Sequence, residues 1–88
     1  MEVIFLRQAH KFIRKADKPL RNKIKEEVLK IKDNPKIGKL LSGKQFKKVR
    51  RHKFIFHKTN YRIAYQVKNN LIIISIATRE NFYRDLVV

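Results

Sequence analysis

Five side chains in the second half of this sequence have the types needed to hold a phosphate and move protons around it: Lys53, His57, Arg62, Arg79 and Tyr83. An arginine presents a planar fork of donors that grips phosphate oxygens in pairs, so Arg62 and Arg79 are candidate clamps. Imidazole exchanges its proton near neutral pH, and a lysine in a cationic neighbourhood is pushed towards its free-base form, so Lys53 and His57 are alternative proton acceptors. Tyr83 can stack on a nucleobase or assist a leaving group. Lys48, Arg50, Arg51 and Lys58 supply further positive charge for a phosphate backbone. Other chemistries have less to work with. There is no cysteine, the carboxylates are scattered, and Ser75 has no His–Asp relay around it. Gly38 and Gly43 are the only glycines, too few for a phosphate-binding loop. No metal or other cofactor is expected. His10 and His52 are expected to be structural or surface groups.

The elements that must position these residues can be read from periodicity. Glu2–Arg7 has the apolar, β-rich composition of a short strand. Leu6, Ala9, Phe12, Ile13 and Ala16 follow helical spacing. Asp17-Lys18-Pro19 breaks that pattern and starts a second helix with Pro19 in its first turn, whose stripe is Leu20, Ile24, Val28 and Ile31. Asn34-Pro35 ends it, and Lys36–Lys44 reads as a loop. Phe46–Lys58 reads as a long, partly irregular strand, Thr59-Asn60 as a bend, Tyr61–Val67 and Leu71–Ala77 as strands joined at Lys68-Asn69-Asn70, and Arg79–Leu86 as a helical turn. The fold class implied is α+β, one domain over 1–88 in the order β-α-α-β-β-β, with a helical hairpin on one face of a small antiparallel sheet.

Side chains alternate along a strand, which sorts them between the two faces. Phe54, Phe56, Tyr61, Ile63, Tyr65, Val67, Ile72, Ile74 and Ile76 form the apolar sets. Arg51, Lys53, Ile55, His57, Arg62, Ala64, Gln66, Ile73, Ser75, Ala77 and Arg79 form the opposite ones. The second group predicts a partly open, cationic surface floored by small residues.

The charge distribution fits that surface. The formal net charge is +16 over 88 residues, and between Asp33 and Glu80 there are twelve Lys and Arg and no acidic residue. A folded surface of one sign repels itself unless an anionic partner sits on it, which points to a nucleic acid or a strongly acidic protein. No segment has the roughly 18 apolar residues of a membrane span, and no basic amphipathic helix is evident, so a cytoplasmic protein without a membrane partner is expected.

Tyr61-Arg62-Ile63-Ala64-Tyr65-Gln66-Val67, followed by Thr78-Arg79-Glu80-Asn81-Phe82-Tyr83, resembles the RelE/ParE superfamily, the toxin halves of type II toxin–antitoxin pairs. Leu40-Leu41-Ser42-Gly43 is similar to the family's "L-x-G" loop after the helical hairpin. The resemblance covers nearly the whole chain. Within the RelE branch it implies a ribosome-dependent endoribonuclease that cleaves mRNA through attack of a 2′-hydroxyl on the adjacent phosphate. The family's strand arginine falls on Arg62, its arginine after the last strand on Arg79 and its C-terminal tyrosine on Tyr83. The family's lysines on the preceding strand do not align cleanly, leaving Lys53 or His57 for that role. The resemblance also implies an acidic, partly disordered antitoxin as partner, and binding of operator DNA only through the complex with it. The ParE branch of the same fold implies inhibition of DNA gyrase instead. A basic RNA- or ribosome-binding protein without catalysis is a third reading.

Overall fold

The structure is a computed structural model that describes residues 1–86; Val87 and Val88 of the domain expected over 1–88 lie outside the described residues. Its elements are β1 (Val3–Phe5), α1 (Arg7–Lys15), α2 (Lys18–Asp33), β2 (Lys39–Leu40), a 3₁₀ turn at Lys44–Phe46, β3 (Arg50–Phe56), β4 (Thr59–Lys68), β5 (Asn70–Thr78) and α3 (Phe82–Asp85). The sheet order is β1-β5-β4-β3-β2. β3, β4 and β5 form the expected antiparallel meander, and β2 pairs antiparallel with β3. The sheet as a whole is mixed, because β1 lies parallel to β5, with Val3 opposite Leu71 and Phe5 opposite Ile73. The intervening hairpins return β5 alongside β1 in the same direction.

The two helices are delimited by residues chosen for their ends. Asp17 caps α2 by accepting a hydrogen bond from the Leu20 N–H at 3.0 Å, and Pro19 sits in the first turn, where a missing N–H costs nothing. Lys30 and Lys32 in the last turn face the negative end of the helix dipole. Ala9 of α1 and Ile24, Val28 and Ile31 of α2 pack on Phe54, Ile63, Tyr65, Leu71, Ile73 and Ile76 of the sheet.

Three local features depart from the simple strand pattern. The connection between β3 and β4 is a two-residue turn at His57 and Lys58, with φ of 48° and 65°, so that Phe56 pairs with Thr59. Both central residues in the left-handed region is the signature of the hairpin turn that matches strand twist. Thr59 and Asn60, expected as the bend, are therefore part of β4. The strand expected from Phe46 begins only at Arg50, because the 3₁₀ turn and the left-handed Lys48 (φ 62°) break it. Finally, Ala64 pairs with Ser75 but Tyr65 pairs with Ile73, leaving Ile74 as an extra residue in a β-bulge. The bulge reverses the alternation below it. Leu71 and Ile73 join Ile76 on the helix-covered face, while Ile72 and Ile74 turn to the other, the reverse of the assignment that strict alternation gives.

Candidate functional site

On the sheet face away from the helices, cross-strand pairing sets the basic residues in rows. Lys53 is opposite Arg62, which is opposite Ala77; one row along, Arg51 is opposite Ala64, which is opposite Ser75. On the other side, Ile55 is opposite Asn60, and the Arg79 N–H donates to the Asn60 carbonyl at 2.9 Å. The result is a cavity of about 210 Å³ lined by Lys53, Asn60, Tyr61, Arg62 and Arg79. Lys53, Asn60 and Arg79 are exposed and Arg62 is half-buried. Three cations around one small cavity suit a phosphate group, which carries only acceptors. Among the described residues, no three His, Cys, Asp or Glu side chains are grouped as metal ligands would be.

Arg62 is held from below. Its guanidinium carbon lies 5.8 Å from the centre of the Phe82 ring, within the range of a cation–π contact. Phe82 is fully buried in a second apolar cluster with Val49, Ala64, Ile74, Ala77 and Leu86. The floor of small residues is thus not open. Ala64, Ser75 and Ala77 are at most 1 % exposed, because their size admits the protein's own Phe82 and Leu86. What remains accessible is the end of the face nearest the β3–β4 turn. Tyr83 is 54 % exposed, with its ring 5.0 Å from that of Phe82 and 6.2 Å from that of Phe46. It therefore reaches the cationic cavity through Phe82 rather than by lining it.

The other sequence candidates are distributed differently. His57 lies in the hairpin turn, its ring stacked on Phe56 at 4.1 Å, beyond the rows that hold Lys53 and Arg62. Lys58 is beside it in the turn. Arg51 shares the cationic face and is half-buried, with its Nε enclosed and without a hydrogen-bond partner among the described residues. Arg50 shares the alternation of Phe54 and so belongs to the helix-covered side, where its guanidinium donates to the Gly38 carbonyl at 2.8 Å. Lys48 lines a separate hollow with Arg50, Pro35 and Leu40. The structure therefore gathers Lys53, Arg62 and Arg79, with Arg51 in the adjacent row, and disperses Lys48, Arg50, His57 and Lys58.

Two residues matter for this arrangement through polar contacts that an apolar pattern does not show. Glu27, 3 % exposed, accepts a hydrogen bond from His52 Nε2 at 2.8 Å and ion-pairs with Lys30 at 2.9 Å and Lys23 at 3.3 Å. Burial opposes its ionisation, but the hydrogen bonds from Lys30, His52 and Lys23 outweigh it and hold the carboxyl at about 2. This pair ties α2 to β3 directly behind Lys53. Its signal was spacing: Glu27 falls between Ile24 and Ile31 on the helix stripe, and His52 alternates with Phe54. Tyr65 is the second case. Its hydroxyl donates to the Pro35 carbonyl at 2.8 Å and accepts from the Gly38 N–H at 2.9 Å, clamping the loop after α2. Burial raises the pKa of this hydroxyl, against the pull of the Gly38 N–H and the Arg50 charge. A Cβ on Gly38 would lie 2.6 Å from that hydroxyl, so the clamp requires glycine.

Fold and site together define a small α+β domain whose exposed sheet face carries a cationic, phosphate-sized cavity. Over residues 3–87 the chain matches the family described as ParE-like toxin of type II bacterial toxin–antitoxin system, and it belongs to that family. Among solved structures, a free-state E. coli toxin RelE with two arginines replaced by alanine is similar at a TM-score of 0.73 and 21% identity, covering 97% of this chain and 92% of that one. The toxin in the intact E. coli RelBE toxin–antitoxin complex is similar at 0.66 and 23% identity, covering 86% and 93%. The isolated E. coli RelE toxin gives 0.66 and 23% identity over 96% and 92%. No curated protein sequence matches the chain. The shared fold is thus that of RelE, and among the described residues no helix is long and apolar enough to cross a membrane.

Proposed function

We propose that this toxin is a ribosome-dependent endoribonuclease that inhibits translation by cutting mRNA. The observation that carries the reading is the convergence of Lys53, Arg62 and Arg79 on one small cavity in a RelE-like fold. In the proposed reaction the 2′-hydroxyl gives its proton to Lys53, its oxygen bonds to the adjacent phosphorus, the bond from phosphorus to the 5′-oxygen breaks, and the departing 5′-oxygen takes up a proton. The products are a 2′,3′-cyclic phosphate and a 5′-hydroxyl, so no outside reactant is consumed. Arg62 and Arg79 stabilise the negative charge that builds on the non-bridging oxygens. Lys53, cross-strand from Arg62, is the proton-transfer group, and Tyr83 offers an exposed ring for a base. His57, in the turn, is assigned no step.

The partner is an acidic antitoxin segment. An apolar groove of about 870 Å³ between β1, α1 and α2, lined by Val3, Ile13, Val28 and Leu29 and bordered by Lys18, Arg21 and Lys25, fits an amphipathic acidic chain. The intact RelBE complex of the similar toxin supports such a pairing. Operator DNA would be bound through that complex.

Mapping the ends of message on programmed ribosomes tests the proposal. Cuts that leave a 2′,3′-cyclic phosphate and a 5′-hydroxyl are expected. The ParE-like description of the family favours one other reading, inhibition of DNA gyrase. Intact message together with blocked supercoiling would overturn the nuclease in its favour.

A further inference from the structure

The side chains around the cationic cavity differ in what they can recognise. Arg62 and Arg79 are donors only, matched to the phosphate oxygens, and Lys53 is engaged by the proton that leaves the 2′-hydroxyl. The Tyr61 ring is stacked on Phe54 at 5.2 Å and packed edge-on against Phe12 at 6.2 Å, on the helix-covered side. The remaining lining residue is Asn60. Its amide is the one uncharged group of the lining side chains on this face that both donates and accepts.

A phosphate diester presents the same acceptors in RNA and DNA, so Arg62 and Arg79 grip either equally well. What separates the two is the 2′-hydroxyl, whose one hydrogen goes to Lys53 and whose oxygen is left to accept a hydrogen bond. That oxygen is only four covalent bonds from the phosphorus on the same sugar, so a group beside the phosphate clamp is within its reach. Asn60 has that location. The two-residue turn brings it into β4 opposite Ile55, its carbonyl accepts from the Arg79 N–H at 2.9 Å, and it is two residues from Arg62 on the same face.

We infer that Asn60 is the residue by which this site tells ribose from deoxyribose, its side-chain N–H donating a hydrogen bond to the 2′-oxygen of the nucleotide held by Arg62 and Arg79, which leaves the hydroxyl's one hydrogen to Lys53. Its role is recognition and not proton transfer. The inference rests on the nuclease reading and specifies the substrate sugar of the same cavity.

The test compares wild type with Asn60→Ala on programmed ribosomes. One measurement is kcat/KM for an all-ribose message. The other is the inhibition constant of the same message carrying a single 2′-deoxynucleotide at the cleavage position. Loss of one neutral hydrogen bond predicts a fall in kcat/KM of about threefold to tenfold, with the deoxy inhibitor bound equally well by both proteins. Asn60 is exposed, so the variant keeps its fold, which its melting temperature checks. Equal weakening of ribose substrate and deoxy inhibitor would overturn the inference, since Asn60 would then serve the backbone alone. An unchanged kcat/KM would overturn it as well. A wild type that cuts no message would bring down the nuclease reading and this inference with it.

Discussion

On the helix-covered face of the sheet, Ile63, Tyr65, Leu71, Ile73 and Ile76 are completely buried under α1 and α2. On the opposite face Ala64, Ala77 and Phe82 are buried just as deeply, yet Lys53 and Arg79 beside them stand in solvent. The first face matches its buried charge, as in the Glu27–His52 pair with Lys23 and Lys30, or hydrogen-bonds it to the backbone, as Arg50 does with Gly38. The second collects positive charge that no acidic side chain in its cavity balances. Unmatched like charges cost stability, and an apolar cluster on each face offsets that cost. Packing thus extends over both faces of the same three strands, while the unbalanced charge gathers at one end of the second.

That division can be broken from either side. The largest loss of stability is expected from Glu27→Ala, which strips a buried partner from His52 and unties α2 from β3, at about 3 kcal/mol. Chemical denaturation measures it. The same contact sets an acid limit. The folded state holds the Glu27 carboxyl at about 2 against an ordinary 4.5, so its contribution is complete above the higher value and fades as pH falls towards the lower. The gap in melting temperature between wild type and variant should therefore close as pH drops through that window. Cleavage by the folded variant should change little.

Phe82→Ala sharpens the comparison, because Phe82 serves both roles. Removing a fully buried ring costs about 3 kcal/mol, and it also removes the platform under Arg62. Cleavage should fall along with stability, unlike the Glu27 variant. Cleavage that follows only the folded fraction would show that the contact does not position Arg62. A smaller effect is expected at the turn. His57→Ala should change cleavage by no more than about twofold, since exposed positions away from the clamp contribute little. A loss comparable to that of Lys53→Ala would bring His57 into the site.

Much of this organisation was legible in the sequence. The Asp17-Lys18-Pro19 break, the stripe of α2 and the alternation of β4 follow from capping and periodicity alone, and alternation put Lys53, Arg62 and Arg79 on one face. Where periodicity carries no information, it failed. In Leu71-Ile72-Ile73-Ile74 every residue is apolar, so nothing in the pattern marks the bulge that exchanges their faces. The turn at His57 and Lys58 uses left-handed residues that are not glycine, so the usual hairpin signal was missing and His57 was placed on the strand. Small residues in β4 and β5 promised an open floor, but a small side chain equally makes room for a large one from elsewhere in the chain, here Phe82.

Unlike the Phe82 cluster beside it, the cationic cavity is expected to act without bearing on the fold. Arg79→Ala tests this most directly, with thermal unfolding and cleavage of ribosome-bound message measured on the same preparation. The melting temperature should be unchanged, because Arg79 is exposed and its backbone contact to Asn60 survives, with cleavage reduced about a hundredfold or more. Undiminished cleavage by the folded variant would contradict this expectation.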